Sequence, residues 1–195
     1  IAGLEVVRLL NEPSATALAY GFERQAQKLR IAVIDLGGGT FDVTILEFGK
    51  GIYEVKATNG DTRLGGADMS QRVFDHLAER FQMISNIDVH HDRKAVARLL
   101  EAAEAAKIDL SHSLSARIDL PSLLTVNGEP RHLALDFNRT QLERLVRPVI
   151  ERCRAPVDRA LHDAGITTRE VDRLLFVGGP TRMLLVRSYF EKLFV

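Results

Sequence analysis

The segment Asp35-Leu36-Gly37-Gly38-Gly39-Thr40-Phe41-Asp42 carries the clearest structural signal in this chain. The four residues before it, 31–34, form a continuous apolar run that is typical of a strand buried on both faces. Three glycines interrupt this run, and apolar and polar residues then alternate from 41 to 45, as in a second strand. We therefore predict a hairpin with a glycine-rich loop and an acid beside that loop on each strand.

The loop has the composition of a phosphate-binding turn. Glycines let backbone N–H groups approach a ligand closely, and such groups in a tight loop favour anions, above all phosphate. The carboxylates of Asp35 and Asp42 would repel a phosphate unless a divalent cation such as Mg²⁺ lay between them. The alternative is a plain hairpin turn with two solvated acids. The segment matches neither a P-loop nor the spaced glycines of a dinucleotide fold, which disfavours a conventional P-loop enzyme.

The surrounding sequence predicts alternating strands and helices. Alternation and turn residues favour strands at 4–10, 52–57 and 174–177, and a hairpin over 118–137 with an Asn127-Gly128 turn. Apolar residues at helical spacing favour helices at 11–20, 67–83 and 93–110. A long helix should begin near Thr140, with Pro148 and Pro156 kinking or dividing it, and a last helix should begin near Thr181.

Composition narrows the class of protein. The 26 basic and 26 acidic residues give a net charge of 26 − 26 = 0, which argues against a nucleic-acid binder held by overall charge. One cysteine excludes a disulfide framework, and no apolar stretch reaches the roughly 18 residues of a membrane span. We expect a cytoplasmic protein with no nucleic-acid or membrane partner. Because the chain starts with apolar residues and stops inside an amphipathic pattern, we also expect it to be part of a larger protein.

Three further motifs occur in a fixed order around the glycine loop. Asn11-Glu12-Pro13-Ser14-Ala15 precedes it, residues 58–66 (TNGDTRLGG) follow it, and residues 177–183 (VGGPTRM) lie near the end. Together the four motifs resemble the ATPase domain of the Hsp70 (DnaK-type) chaperones, within the actin-like ATPase superfamily, over essentially the whole chain.

The resemblance implies an α/β fold of two parts. One is an actin-like (ribonuclease H-like) lobe with a mixed sheet flanked by helices, and the other is a smaller α+β subdomain. It implies that 1–25 ends lobe I, that 26–64 and 141–195 form lobe IIA, and that 65–140 form lobe IIB.

The resemblance also implies a site for ATP or ADP and Mg²⁺. Its catalytic residues would be Glu12, near the γ-phosphate and its attacking water, and Asp35 and Asp42, which would hold Mg²⁺ through water. The implied nucleotide-binding residues are Gly37, Gly38, Gly39, Thr40, Gly65, Gly66, Glu104, Lys107, Ser111, Gly178, Gly179 and Arg182.

Two of these groups also have support from their own sequence context. Glu104, Lys107 and Ser111 lie at i, i+3 and i+7 and so share one helix face, although a solvated charged face is the alternative. Gly178 and Gly179 lie between a strand and a helix N-terminus, a setting that favours a polar or anionic ligand, although a plain turn is the alternative.

Some positions differ from the family pattern. Ala67 replaces an acid that commonly follows the Gly65-Gly66 pair, and Leu184 replaces a common proline. Ile108 stands where some relatives have a basic residue, and Ser14 is a conservative change. These differences bear on nucleotide affinity and not on the fold.

The resemblance implies an ATP-driven chaperone whose hydrolysis drives peptide binding and release, with client peptides held by a separate domain. A J-domain partner would contact Arg8 and Asn11, and an exchange factor would bind about 65–140. Because the family's first phosphate loop and catalytic lysine precede the matching region, this chain alone should hydrolyse ATP weakly or not at all. The alternatives are a non-catalytic interaction module and another actin-like phosphotransferase, such as a sugar kinase.

Two other features favour structural explanations. His90 and His91 near Asp88 and Asp92 suggest a metal, but an exposed loop between helices accounts for them better. Cys153 is expected to be a small buried residue and not a nucleophile.

Overall fold

A mixed four-stranded sheet organises the chain in the computed structural model, which describes residues 3–7, 9–20, 28–49 and 52–195. Its strands are β1 (Leu29–Leu36), β2 (Phe41–Gly49), β3 (Ile52–Asp61) and β6 (Arg173–Val177). The strand order is β3-β2-β1-β6, with β1–β2 and β2–β3 antiparallel and β1–β6 parallel. The predicted three-stranded meander and the late buried strand are therefore confirmed.

Strand β1 is buried on both faces, as its apolar run predicts. Ala32, Ile34 and Leu36 point into the large core, whereas Ile31 and Val33 point into a smaller apolar cluster on the other face. This alternation follows from the two-residue period of a strand. It sends Asp35 to the face of the smaller cluster, which also contains Ala17 of the first helix.

The first helix, α1 (Glu12–Ala19), starts where the sequence predicts. The Asn11 side chain accepts a hydrogen bond from the Ser14 N–H at 3.3 Å and so caps the helix. The cap places Glu12 at the first helical position. Pro13 lies in the first turn, where its missing N–H costs the helix no hydrogen bond.

The second part of the fold combines helices with a two-stranded antiparallel sheet. Its elements are α2 (Gly66–Ser85), α3 (Arg93–Asp109), β4 (Ser115–Val126), β5 (Glu129–Asn138) and α4 (Arg139–Glu151). β4 and β5 pair across the predicted Asn127-Gly128 turn, where both residues have positive φ. The predicted second hairpin is therefore confirmed.

The long helix predicted from Thr140 is divided, but not at either proline. α4 ends at Glu151 and α5 (Arg154–Ala164) begins after a short turn that contains the buried Cys153. Pro148 stays inside α4, whereas Pro156 lies in the first turn of α5, where a missing N–H costs little.

Two predictions of secondary structure are wrong. The described residues of 4–10 form no strand, and Leu4 and Val7 are 81% and 92% exposed, because no described strand pairs with them. The last helix, α6 (Leu184–Leu193), begins three residues later than predicted, because a 3-10 turn over Gly179–Arg182 comes first. Gly178 and Gly179 therefore lead into this short turn and not directly into an α-helix.

The α/β fold class is confirmed, since a mixed sheet flanked by helices is joined to a smaller α+β part. None of the helices in the described ranges is long and apolar enough to cross a membrane.

Candidate functional site

Three carboxylates converge at the end of the β1–β2 hairpin. Asp35 and Asp42 are directly opposite in the antiparallel register, so their side chains lie on one face of the sheet. Glu12, at the start of α1, comes near enough to interact with Asp35. Partial burial, the charges of Glu12 and Asp42, and a hydrogen bond with Glu12 raise the pKa of Asp35 to about 6. The three predicted catalytic residues are thus brought together, in an arrangement that repels negative charge and attracts cations.

The loop between the two aspartates is closed by a hydrogen bond from the Gly37 N–H to the Thr40 carbonyl at 2.9 Å. Two of its carbonyls accept from the start of α2: Gly37 O from the Gly66 N–H at 2.9 Å and Gly38 O from the Ala67 N–H at 2.7 Å. The N–H groups of Gly38, Gly39 and Thr40 donate to no described residue. The loop carbonyls therefore bond other protein groups, whereas these three N–H groups are available to a ligand.

Glycines from three other segments pack against this hairpin. A Cβ on Gly65 would lie 2.6 Å from the Gly38 carbonyl oxygen, and one on Gly60 would lie 2.5 Å from Asp42 Oδ1. A Cβ on Gly178 would overlap the Leu36 carbonyl oxygen, and its φ of +92° is itself unfavourable for other residues. Close backbone contact thus fixes the loop from three sides.

A cavity of about 210 Å³ lies between the C-terminal end of α3 and the 3-10 turn after β6. Glu104 and Lys107 of α3 line this cavity, and Ser111 lines it from the turn that follows the end of α3 at Asp109, so the three predicted residues do face one cavity. Gly179 and Arg182 lie on the opposite wall. The remaining lining residues are Ile108, His112, Pro180 and Met183.

The α3 wall of this cavity contains a polar cluster around Lys107, which is only 5% exposed. The Lys107 ammonium donates to Gly66 O at 3.0 Å, to Ser70 Oγ at 2.8 Å and to Glu104 Oε2 at 2.7 Å. Partial burial of Glu104 disfavours its charge, but hydrogen bonds from Lys107 and Ser70 and the Lys107 charge outweigh that effect and lower the pKa of this carboxyl. Glu104 is therefore held as a charged acceptor beside the cavity.

Sequence reasoning missed several of these residues. Ser70 gives no signal, because a serine four residues after Gly66 commonly bonds back to its own helix. Gly60 does give a sequence signal, since a glycine within a strand often marks the close approach of another group. His112, Pro180 and Met183 become recognisable only when the cavity is known.

The remaining candidates have structural roles or lie outside the described residues. Arg8 lies outside the described residues, and Asn11 caps α1. His90 bonds Asp88 at 2.5 Å on an exposed turn, in agreement with the expected loop. Among the described residues no three His, Cys, Asp or Glu side chains converge closely enough to ligate an ion. Burial raises the pKa of the Cys153 thiol to about 12, as expected for an inert buried cysteine.

Known proteins resemble this chain along its whole length. The family model described as Hsp70 protein matches residues 1–195. The chaperone protein DnaK of Methanothermobacter thermautotrophicus is 50% identical over 191 residues, which cover 98% of this chain and 32% of that protein. The chaperone protein DnaK of Thermus thermophilus is 48% identical over 195 residues, which cover 99% of this chain and 32% of that protein. This chain thus spans about a third of the length of the curated relatives it matches.

These matches agree with the order of the four motifs and with the α/β fold, and they do not favour another branch of the actin-like superfamily. The chain therefore belongs to the Hsp70 family, and its fold is that of the family's actin-like ATPase domain.

Proposed function

We propose that this chain forms one side of an ATP/ADP and Mg²⁺ site in an Hsp70-type molecular chaperone, whose ATP hydrolysis drives the binding and release of peptides. The observation that carries the proposal is that Gly66 links the glycine loop to a residue of the cavity wall: its N–H donates to Gly37 O of the loop, and its carbonyl accepts from Lys107, which lines the cavity. Gly66 therefore connects the loop proposed for the phosphates to the wall of the cavity proposed for the nucleoside.

The glycines of the loop support phosphate binding. A Cβ on Gly38 or Gly39 would meet no described atom within 4 Å, and neither residue has a positive φ. Folding therefore does not require glycine at these positions. A ligand that approaches the backbone closely would require it, and the three unused N–H groups are the donors that a phosphate would accept from.

The three carboxylates support a Mg²⁺ role. A pKa of about 6 for Asp35 reflects its partial burial first and then the charges of Glu12 and Asp42, and a bound cation would favour the charged form of this carboxyl. Mg²⁺ in proteins typically uses one or two carboxylates and keeps several waters. When bound, Mg²⁺ neutralises charge on the phosphates. Asp35 and Asp42 would orient its waters, and Glu12 would hold the attacking water.

The cavity supports the nucleoside part. Its volume of about 210 Å³ lies between an aliphatic wall at Ile108 and the guanidinium of Arg182. A flat aromatic ring suits such a space, because a guanidinium plane stacks well on aromatic rings. Glu104 and Ser111 are the polar groups that would meet the sugar or base.

We further propose the lobe boundaries, the protein partners and the cellular compartment that the family implies. Residues 1–25 would end lobe I, 26–64 and 141–195 would form lobe IIA, and 65–140 would form lobe IIB and receive an exchange factor. A J-domain partner would bind near Arg8 and Asn11, client peptides would bind a separate domain, and the whole would act in the cytoplasm.

Calorimetric titration of the chain with Mg-ADP and Mg-ATP tests the proposal. We expect dissociation constants between roughly 10 µM and 1 mM, because only one side of the site is present. Gly39→Ala should keep the melting temperature and weaken binding at least about tenfold, since its Cβ meets no protein atom but would meet a phosphate. Gly49→Ala tests for indirect effects, because Gly49 is the last residue of β2, has no positive φ, and its Cβ would make only an ordinary contact with Lys28. A folded chain that binds neither nucleotide at millimolar concentration would refute the proposal and leave the interaction module.

A further inference from the structure

The ammonium of Lys107 has no proton left for a ligand. An ammonium carries three protons, and Lys107 Nζ has three protein acceptors within 3.0 Å: Gly66 O, Ser70 Oγ and Glu104 Oε2. Its side chain is 7% exposed, although it lines the cavity. Lys107 therefore ties α3 to the start of α2, directly beside the glycine loop.

Ser70 lies at the centre of this arrangement. Its hydroxyl accepts from Lys107 at 2.8 Å, contacts Glu104 Oε2 and lies 3.0 Å from Gly66 O. A hydroxyl has one proton, so it donates to Glu104 or to Gly66 while it accepts from Lys107. Ser70 is 7% exposed and does not line the cavity, so it acts on a ligand only through its neighbours.

Glu104 is the member of the cluster that is open to a ligand. Only its Oε2 is bonded by Lys107 and Ser70, its Oε1 has no partner among the described residues, and its side chain is 48% exposed at the cavity. The lowered pKa keeps it an acceptor at neutral pH. A ligand group that meets it must therefore be a donor, such as a sugar hydroxyl or an amino group.

From these contacts we infer that Ser70 is a positioning residue: it holds Lys107 as a brace between α2 and α3, and it orients Glu104 as the acceptor that meets the nucleoside. Only the orientation of Glu104 toward the nucleoside rests on the proposed nucleotide site. The brace is a property of the protein without ligand.

The brace is tested without nucleotide, by the rate at which an amine-reactive reagent modifies Lys107, located by peptide mass spectrometry. In Ser70→Ala the ammonium loses one acceptor and water gains access, so modification should be at least about five times faster. Ser85→Ala is the matched control, because Ser85 Oγ bonds the carbonyl four residues back in the same helix at 2.7 Å and lies outside the cluster. An unchanged rate in Ser70→Ala, or an equal rise in Ser85→Ala, would overturn the brace.

The orientation of Glu104 is tested by a double-mutant cycle on the calorimetric affinity for Mg-ADP. Ser70→Ala should weaken binding about three- to tenfold in the parent chain and less than about twofold in a Glu104→Gln background, because Ser70 would act through that carboxylate. A general loss of structure would instead weaken both backgrounds equally, and that additive result would overturn the inference. Failure of the parent chain to bind Mg-ADP would refute the proposed function, while the modification rates would still decide the brace.

Discussion

At the scale of single residues, Asp35 opposes folding while it supplies the site. Burial and the charges of Glu12 and Asp42 raise the pKa of Asp35 from 3.8 to about 6, so the folded chain holds its proton more tightly than the unfolded chain. Stability without a cation should therefore fall as the pH rises from about 4 to about 6 and stay low above that. A shift of this size corresponds to about 3 kcal/mol at most, and solvent screening of the partly exposed carboxylate reduces the effect to about 1–2 kcal/mol.

Asp35→Asn should stabilise the cation-free chain at about pH 7.5 by about 1–2 kcal/mol, because the partly buried charge is removed and the shape is kept. It should also remove any increase in stability that millimolar Mg²⁺ gives the parent chain. Urea unfolding near neutral pH and near pH 5, with and without Mg²⁺, measures both effects. Asp119→Asn, an exposed acid on β4, should change neither. A less stable Asp35→Asn chain would contradict this account of the charge.

Single residues also show what a sequence can reveal about a site. Asp35 and Asp42 are recognisable because strand register and a short loop bring them together. Glu104 and Lys107 are recognisable as a pair because helical spacing puts them on one face of α3, whereas Ser111 follows the end of that helix. Ser70 cannot be recognised from the sequence. Its partners Glu104 and Lys107 lie 34 and 37 residues away and contact it only because α2 packs on α3.

At the scale of elements, local patterns predict those whose partners are close in sequence. The hairpin β1–β2, the third strand and both glycine turns follow from alternation and turn residues. The parallel pairing of β1 with β6 joins segments far apart in the chain and could not be read from pattern alone. The strand predicted at 4–10 is wrong for the same reason: a local pattern predicts an extended segment but does not show whether another strand pairs with it.

The contact between β6 and β1 leads to a test at this scale. Gly178→Ala should destabilise the chain by at least about 3 kcal/mol, because the new Cβ would overlap the Leu36 carbonyl and φ is +92°. The neighbouring Gly179→Ala is the matched control and should stay within about 0.5 kcal/mol, since its Cβ would meet nothing within 4 Å. Urea unfolding compares the two. Equal stabilities would show that the backbones of β1 and β6 do not lie this close in solution.

At the scale of the whole molecule, a net charge of zero conceals an uneven distribution. Acids converge on the loop that offers N–H groups to an anion, and no basic side chain among the described residues lowers the pKa of Asp35. The buried cation Lys107 lies at the cavity proposed for the nucleoside and is already balanced by the carboxylate of Glu104. Neutrality of the chain therefore does not mean neutrality around the glycine loop, because the basic residue Arg182 lies at the cavity and not among the acids.

This imbalance predicts that the chain alone hydrolyses ATP at least about 100-fold more slowly than an intact family member, because transfer of a phosphoryl group depends on positive charge around it. Release of inorganic phosphate under single-turnover conditions measures the rate. Asp35→Asn, purified in the same way, reports activity from contaminating host chaperone, and the parent rate should not exceed it by more than about twofold. Turnover within about tenfold of the intact protein that disappears in Asp35→Asn would show that the described acids and loop suffice for catalysis.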